Sequence, residues 1–296
     1  MFRSRQLLNA DYAYQQGLSG QGIGIAFLDT GTSRHPDFDD RILAWKDFVH
    51  NRLLPYDDCG HGTHVAGIAA GNGSASRGMY KGIAPGSNII SLKILNQKGE
   101  GTLSHTMAAL DWIIQHRALY NIRIVNISIC SSEGKQYAES SVFVQKVDEL
   151  WNLGLVVVAA AGNKGPGFNT VSAPGNSRKI ITVGSHEIFY HSNNRQTQAG
   201  QGPTTNCIRK PDVVAPGSQI ISCQSLDLGH HRTYYTKRSG TSMSTPMVSG
   251  AIALLLQKEP DLTPKKIKIR LKHASTDLHL PHSQQGWGLL SLSSFL

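Results

Sequence analysis

Gly22-Ile-Gly-Ile-Ala-Phe-Leu-Asp-Thr-Gly31 is an apolar run that stops on a carboxylate. Such a run reads as a buried strand whose carboxyl end carries a charge. Val156-Val-Val-Ala-Ala-Ala-Gly-Asn163 repeats the pattern and ends on an amide. Around these two runs the chain alternates. Strands are expected near 23–29, 88–95, 122–129, 155–160 and 180–184, and helices near 62–71, 103–119, 138–153, 242–258 and 264–274. Leu103, Met107, Leu110 and Ile114 recur at helical spacing, which gives the second helix one buried face. Alternation of this kind predicts a three-layer α/β fold with a central, mainly parallel sheet and helices on both faces. Ligands in such sheets bind at the carboxyl ends of strands, where Asp29 and Asn163 both fall. Residues 185–241 are polar and Gly/Pro-rich, and are expected to form surface strands and loops leading to Ser242.

Ser242 lies in Ser239-Gly-Thr-Ser-Met-Ser-Thr-Pro246, ahead of an apolar helical run from Met247 to Leu256. That context predicts a hydroxyl presented at a helix start, with Gly240 allowing a tight turn and free helix N–H groups facing whatever Ser242 attacks. Serine needs a base, and the base needs an orienting group. His61, in Cys59-Gly-His-Gly-Thr-His-Val-Ala-Gly-Ile-Ala-Ala-Gly71, is the candidate base. The small residues Gly62, Ala66, Gly67, Ala69 and Ala70 suit a helix pressed against its neighbours. Asp29 is the candidate orienting carboxylate. Asn163 can donate to an oxyanion, a contribution of roughly 2.7–4 kcal/mol where one such donor is lost. Taken singly, each residue also reads as a turn, a cap or a satisfied core group.

With four spaced motifs in order, the chain resembles the subtilisin-like serine proteases (subtilases), of the bacterial intracellular type without a prodomain. The motifs are Asp29-Thr-Gly, His61-Gly-Thr-His, Ala-Ala-Gly-Asn163 and Gly-Thr-Ser242-Met-x-Thr-Pro. Smaller matches are Gly82-Ile-Ala-Pro85, Ser172-Ala-Pro-Gly175, Lys210-Pro-Asp-Val-Val-Ala-Pro-Gly217 and Gln285-Gly-Trp-Gly288. The resemblance implies an Asp29/His61/Ser242 triad, an Asn163 oxyanion hole and a peptidase domain over 18–296 behind an N-terminal extension, 1–17. Ser244 departs from the alanine usual there. The resemblance also implies a groove in which Gly99, Glu100 and Gly101 face Ser128, Ile129 and Cys130 across an extended peptide, with Gly162 beside it. Ile129-Cys130-Ser131 replaces the usual Leu-Gly-Gly and should narrow the first pocket. Asp57, Asp58 and Glu100 would favour basic residues upstream of the cut, whereas Lys164 would oppose one at the cut.

No cofactor is required for such chemistry, and no metal is expected. Many relatives bind calcium after the histidine helix, but Gly71-Asn-Gly-Ser-Ala-Ser-Arg-Gly78 offers no carboxylate there. Asp37, in His35-Pro-Asp-Phe38, is left as a single candidate ligand. His64 reads as structural or as lining the site, since no His-Glu-x-x-His pattern accompanies it. Cys59, Cys130, Cys207 and Cys223 lack paired metal spacing, which argues against zinc. In a cytoplasmic protein they would be reduced.

The chain has 296 residues and a formal charge of +9. Its basic residues are scattered except for Lys265-Lys266-x-Lys268-x-Arg270, which reads as the solvated face of a terminal helix. Nucleic acid is therefore not the expected partner; a peptide or protein substrate is. The chain contains neither a signal-peptide pattern nor an apolar run long enough to span a bilayer. About 20 residues precede the first strand, and Met1 favours a domain that folds unaided in the cytoplasm. Oligomeric state is not legible. A general serine endopeptidase is the leading expectation, ahead of a maturation protease for one leader peptide or proprotein and of a non-catalytic scaffold.

Overall fold

The structure, a computed structural model, describes residues 1–129, 140–186, 199–229 and 233–296. Two short helices, α1 (Phe2–Leu7) and α2 (Ala10–Gln15), lead into β1 (Gly24–Asp29). Then come β2 (Ile42–Asp47), α3 (His61–Ala70), β3 (Asn88–Lys93), α4 (Leu103–His116) and β4 (Ile122–Ile127). The middle of the chain supplies α5 (Val142–Asn152), β5 (Val156–Ala160), β6 (Ile181–His186) and β7 (Val213–Pro216). A ribbon of β8 (Ile220–Cys223) and β9 (Tyr235–Arg238) precedes α6 (Thr241–Lys258) and α7 (Pro264–Ala274). The chain closes with β10 (Ser275–Thr276), α8 (His282–Gln285), β11 (Leu289–Leu290) and α9 (Leu292–Phe295).

A nine-stranded sheet runs in the order β10-β11-β7-β6-β5-β4-β1-β3-β2, parallel throughout except for the β10–β11 pair. The β1 run is apolar because both faces are covered. Ile25 and Phe27 join the core under α3, α6 and α7, while Ala26 and Leu28 join the core under α4 and α5. Alternation between two apolar faces leaves no polar position along the strand. The α6 helix is buried from Thr241 to Leu256, so its sequence carries no polar stripe.

Small residues let α3 lie close to its neighbours. A Cβ on Gly62 would fall 2.1 Å from the Gly31 carbonyl, and one on Gly67 would fall 2.6 Å from Cys223 Sγ. Residues ahead of Leu18 also share the main core, where Met1, Leu8, Ala10 and Ala13 are buried. Tyr14 donates its hydroxyl to the Gly82 carbonyl at 2.8 Å.

The fold differs from the sequence reading in several places, among them the short elements β10, α8, β11 and α9 after α7. The α1 and α2 helices and the β2 strand were not expected, because each is short and half-exposed, with a mixed apolar pattern. β7 lies inside the segment expected at the surface, yet all four of its residues are buried in the main sheet. Half of the basic cluster on α7 is also engaged by neighbouring segments and not simply a free solvated face. Lys268 Nζ donates to the carbonyls of Arg178, Lys179 and Ile180, and Arg270 forms a two-pronged pair with Glu259, tying α7 to the body. Among the described residues, no helix is long and apolar enough to cross a membrane.

Candidate active site

The end of β1 delivers Asp29, which is 1% exposed, to the carboxyl edge of the sheet. Its Oδ1 accepts the Thr30 N–H at 2.8 Å and stands 2.7 Å from His61 Nδ1, at the first residue of α3. Among the described residues Oδ2 has no hydrogen-bond partner, so His61 is the main side-chain answer to this buried charge. Nδ1 facing a carboxylate must carry the ring proton, which leaves Nε2 as the basic nitrogen. Burial pulls the His61 pKa down, but the charge and hydrogen bond of Asp29 outweigh it, and the net shift is above the usual imidazole value of 6.5.

Asp57 holds His61 at that position. Although read from sequence as a groove charge, it is fully buried, with its carboxylate accepting Thr30 Oγ1, the N–H groups of Cys59, Gly60 and Thr63, and Thr63 Oγ1. It thereby ties the end of β1 to the start of α3. Asp58 is likewise engaged, 2.7 Å from the buried Lys93 Nζ, which also donates to the Thr30 carbonyl. We predict that Asp57→Ala lowers unfolding free energy by at least about 3 kcal/mol, because several buried donors lose their acceptor together. Urea unfolding monitored by fluorescence measures this; a loss under about 1 kcal/mol would show that water replaces the carboxylate.

Ser242 occupies the first turn of α6, after Gly240 at φ +140°. It is only 8% exposed, less presented than its sequence context predicts. Its Oγ donates to the Ser128 carbonyl at 2.8 Å; among the described residues no hydrogen bond joins it to His61. Ser128 follows β4, and Leu28 pairs with Ile127, so Asp29 and Ser128 extend from paired positions on neighbouring strands. Adjacent strands lie about 4.8 Å apart, which brings the Asp29–His61 pair and the Ser242–Ser128 contact to one stretch of the sheet edge. A side-chain rotation about χ1 would exchange the Ser128 carbonyl for another acceptor. Hydrogen bonds of this kind commonly tighten only when substrate is present. Ser249 Oγ and Asn126 then link α6 to β4 beneath, with Asn126 Nδ2 donating to Ser128 Oγ at 2.8 Å.

Asn163 is exposed beyond β5, and its Oδ1 accepts both the N–H and the hydroxyl of Thr241, each at 3.1 Å. Gly240 has no side chain to cap α6, so Asn163 does so from another segment. With Oδ1 committed, Nδ2 is the free end of the amide. Gly162, at φ +95°, is buried, and its carbonyl accepts the Gly200 N–H.

Asn96–Gly101 form a tight exposed turn in which Asn96 Oδ1 caps Lys98 and Glu100, and Gly101 bridges to Leu95. Gly99 adopts φ +75° there, and Glu100 is exposed. Ser128 is buried and Ile129 half-buried, while Cys130 and Ser131 lie outside the described residues. His64 does not face solvent: it is buried, its Nε2 stands 3.1 Å from the Ile220 carbonyl, and burial pushes its pKa down to about 3. Cys59 is half-exposed and burial raises its thiol pKa, the opposite of an activated thiolate. Sequence reasoning did not reveal Asp57 and Lys93 as supports of His61; the carboxylate two residues before Cys59-Gly-His was the available signal.

A covered parallel sheet with a Ser, a His–Asp pair and a helix start at its carboxyl edge defines the subtilisin-like class. A profile described as "Subtilase family" matches residues 20–288, and the chain belongs to that family. It is 39% identical over 276 residues to serine protease AprX of Bacillus subtilis, covering 88% of this chain and 62% of that relative's length. Subtilisin Savinase of Lederbergia lenta is 34% identical over 272 residues, covering 92% of this chain and 90% of the relative. The crystal structure of a cold-adapted subtilisin-like serine proteinase superposes with a TM-score of 0.74 at 30% identity, covering 93% of this chain and 90% of that one.

Proposed function

We propose that this chain is a serine endopeptidase whose reaction runs through Ser242, His61 and Asp29. The Asp29–His61 contact of 2.7 Å, at the strand end paired with the one that holds Ser242 Oγ, is the observation that carries this reading. Ser242 Oγ attacks the peptide carbonyl while Nε2 of His61 takes its proton. The imidazolium formed is stabilised by Asp29 and then protonates the leaving amine. Asn163 Nδ2 and the Ser242 N–H hold the oxyanion. Water attacks the acyl-enzyme by the same proton path, and no cofactor takes part. The substrate lies extended between residues 99–101 and 128–129, with Gly162 beside the cut, held by backbone hydrogen bonds.

A fluorophosphonate probe should form one adduct, located by mass spectrometry on Ser242. A folded chain that takes no label would overturn the reading in favour of a non-catalytic role. Asn163→Asp keeps the Oδ1 cap on α6 but removes the amide donor. It should lower kcat by roughly 10²–10³-fold with little change in KM. A variant that lowers binding alone would remove Asn163 from the oxyanion role.

A further inference from the structure

We propose that His35, Asp37 and Cys223 form a structural binding site for one divalent cation of the zinc type. His35 and Asp37 sit in the turn after β1, and Cys223 ends β8, 186 residues away from Asp37. All three are buried, at 5%, 0% and 1% exposure. One ligand atom from each lies within 4.8 Å of the other two. Cys223 Sγ is 3.5 Å from Asp37 Oδ2, and His35 Nδ1 is 3.9 Å from Asp37 Oδ1. Tetrahedral zinc with bonds of about 2.0–2.3 Å needs ligand separations of about 3.3–3.8 Å. Small side-chain shifts would close the set.

The donor chemistry selects the ion. One imidazole nitrogen, one carboxylate and one sulfur suit zinc, whereas calcium and magnesium want oxygens alone. Outer contacts already orient the ligands. His35 Nε2 stands 2.8 Å from the Tyr234 carbonyl, which places the ring proton there and turns the Nδ1 lone pair inward. That lone pair now accepts the Asp37 N–H at 3.1 Å, a contact the ion would replace. The Tyr235 hydroxyl holds both Asp37 oxygens, at 3.0 and 2.8 Å. Water would fill the fourth position. On binding, the Cys223 S–H bond breaks, a sulfur–metal bond forms and the proton leaves to solvent. The cluster passes from a buried charge of −1 to zero, and no electron changes hands.

The ion would fasten the β8–β9 ribbon to the turn after β1. Cys223 packs against Gly67 of α3, six residues and about 9 Å along the helix from His61, so the clamp acts behind the histidine rather than in the reaction.

The test uses the full chain as Ser242→Ala, which prevents self-digestion and makes the readout independent of the proposed activity. Chelator-stripped protein is given zinc or cobalt. We expect one retained zinc per chain, a thiolate-to-cobalt charge-transfer band in the near ultraviolet, and a zinc-induced rise in Tm on the order of 5 °C. Cys223→Ser and His35→Gln, checked for folding by circular dichroism, should lose all three. Absence of the cobalt band in the parent would overturn the proposal whatever the variants do. So would a Cys223→Ser chain that still binds zinc, or a Tm that responds to calcium and not to zinc.

Discussion

Replacing Ser242 with alanine should lower kcat/KM on peptide substrates by roughly 10⁵–10⁶-fold, the scale on which loss of the nucleophile acts in serine peptidases. Some acceleration over water should survive, because Asn163 and the groove would still hold the carbonyl. The same change removes the hydrogen bond to the buried Ser128 carbonyl at 2.8 Å. An unsatisfied buried acceptor costs about 1–3 kcal/mol, so Tm should fall by a few degrees while the fold persists. Active-site titration beside thermal unfolding separates the two effects. A variant that keeps more than about 1% of the parent rate would move the nucleophile elsewhere in the chain.

Asp29→Asn should cost about 10⁴-fold in kcat near neutral pH, by favouring the wrong imidazole tautomer and leaving the imidazolium unsupported. Its pH profile carries a second signature. In the parent, kcat/KM should rise with pH and reach half its plateau above 6.5, because His61 acts as a base only when neutral and Asp29 holds its pKa up. In the variant only the weaker pull of the Asp57 charge is left against burial and the Arg238 charge, and the midpoint should fall. The sign for stability is opposite. A raised folded pKa means that the His61–Asp29 pair contributes its full stability below pH 6.5 and loses it as pH rises through the folded value. Activity gained over that window should therefore accompany a loss of stability. An unchanged midpoint in Asp29→Asn would show that the 2.7 Å contact does not set the base strength.

Much of this could be read from local pattern. Two-sided burial forced β1 and β5 into unbroken apolar runs, so the parallel sheet was visible in Gly22–Asp29 and Val156–Ala160. The small residues of α3 likewise announced close packing, which Gly62 and Gly67 bear out. What pattern could not show was which charged groups are solvated. Asp57, Asp58 and Lys268 look like surface charges in one dimension, yet each is held by partners distant in sequence. β7 was missed because four apolar residues among prolines and glycines carry too little periodicity to be told from a loop.

The chain alone determined the layers of the fold and pointed to the four residues proposed to act at the sheet edge, because burial periodicity and short motifs are written in neighbouring residues. Only the tertiary structure decided that Asp57 braces His61, that Ser242 Oγ rests on the Ser128 carbonyl, and that Cys223 meets His35 and Asp37. Those relations join segments 27 to 186 residues apart. They exist only once the sheet and ribbon bring these atoms within hydrogen-bonding range, where direction and distance, not sequence spacing, set the chemistry.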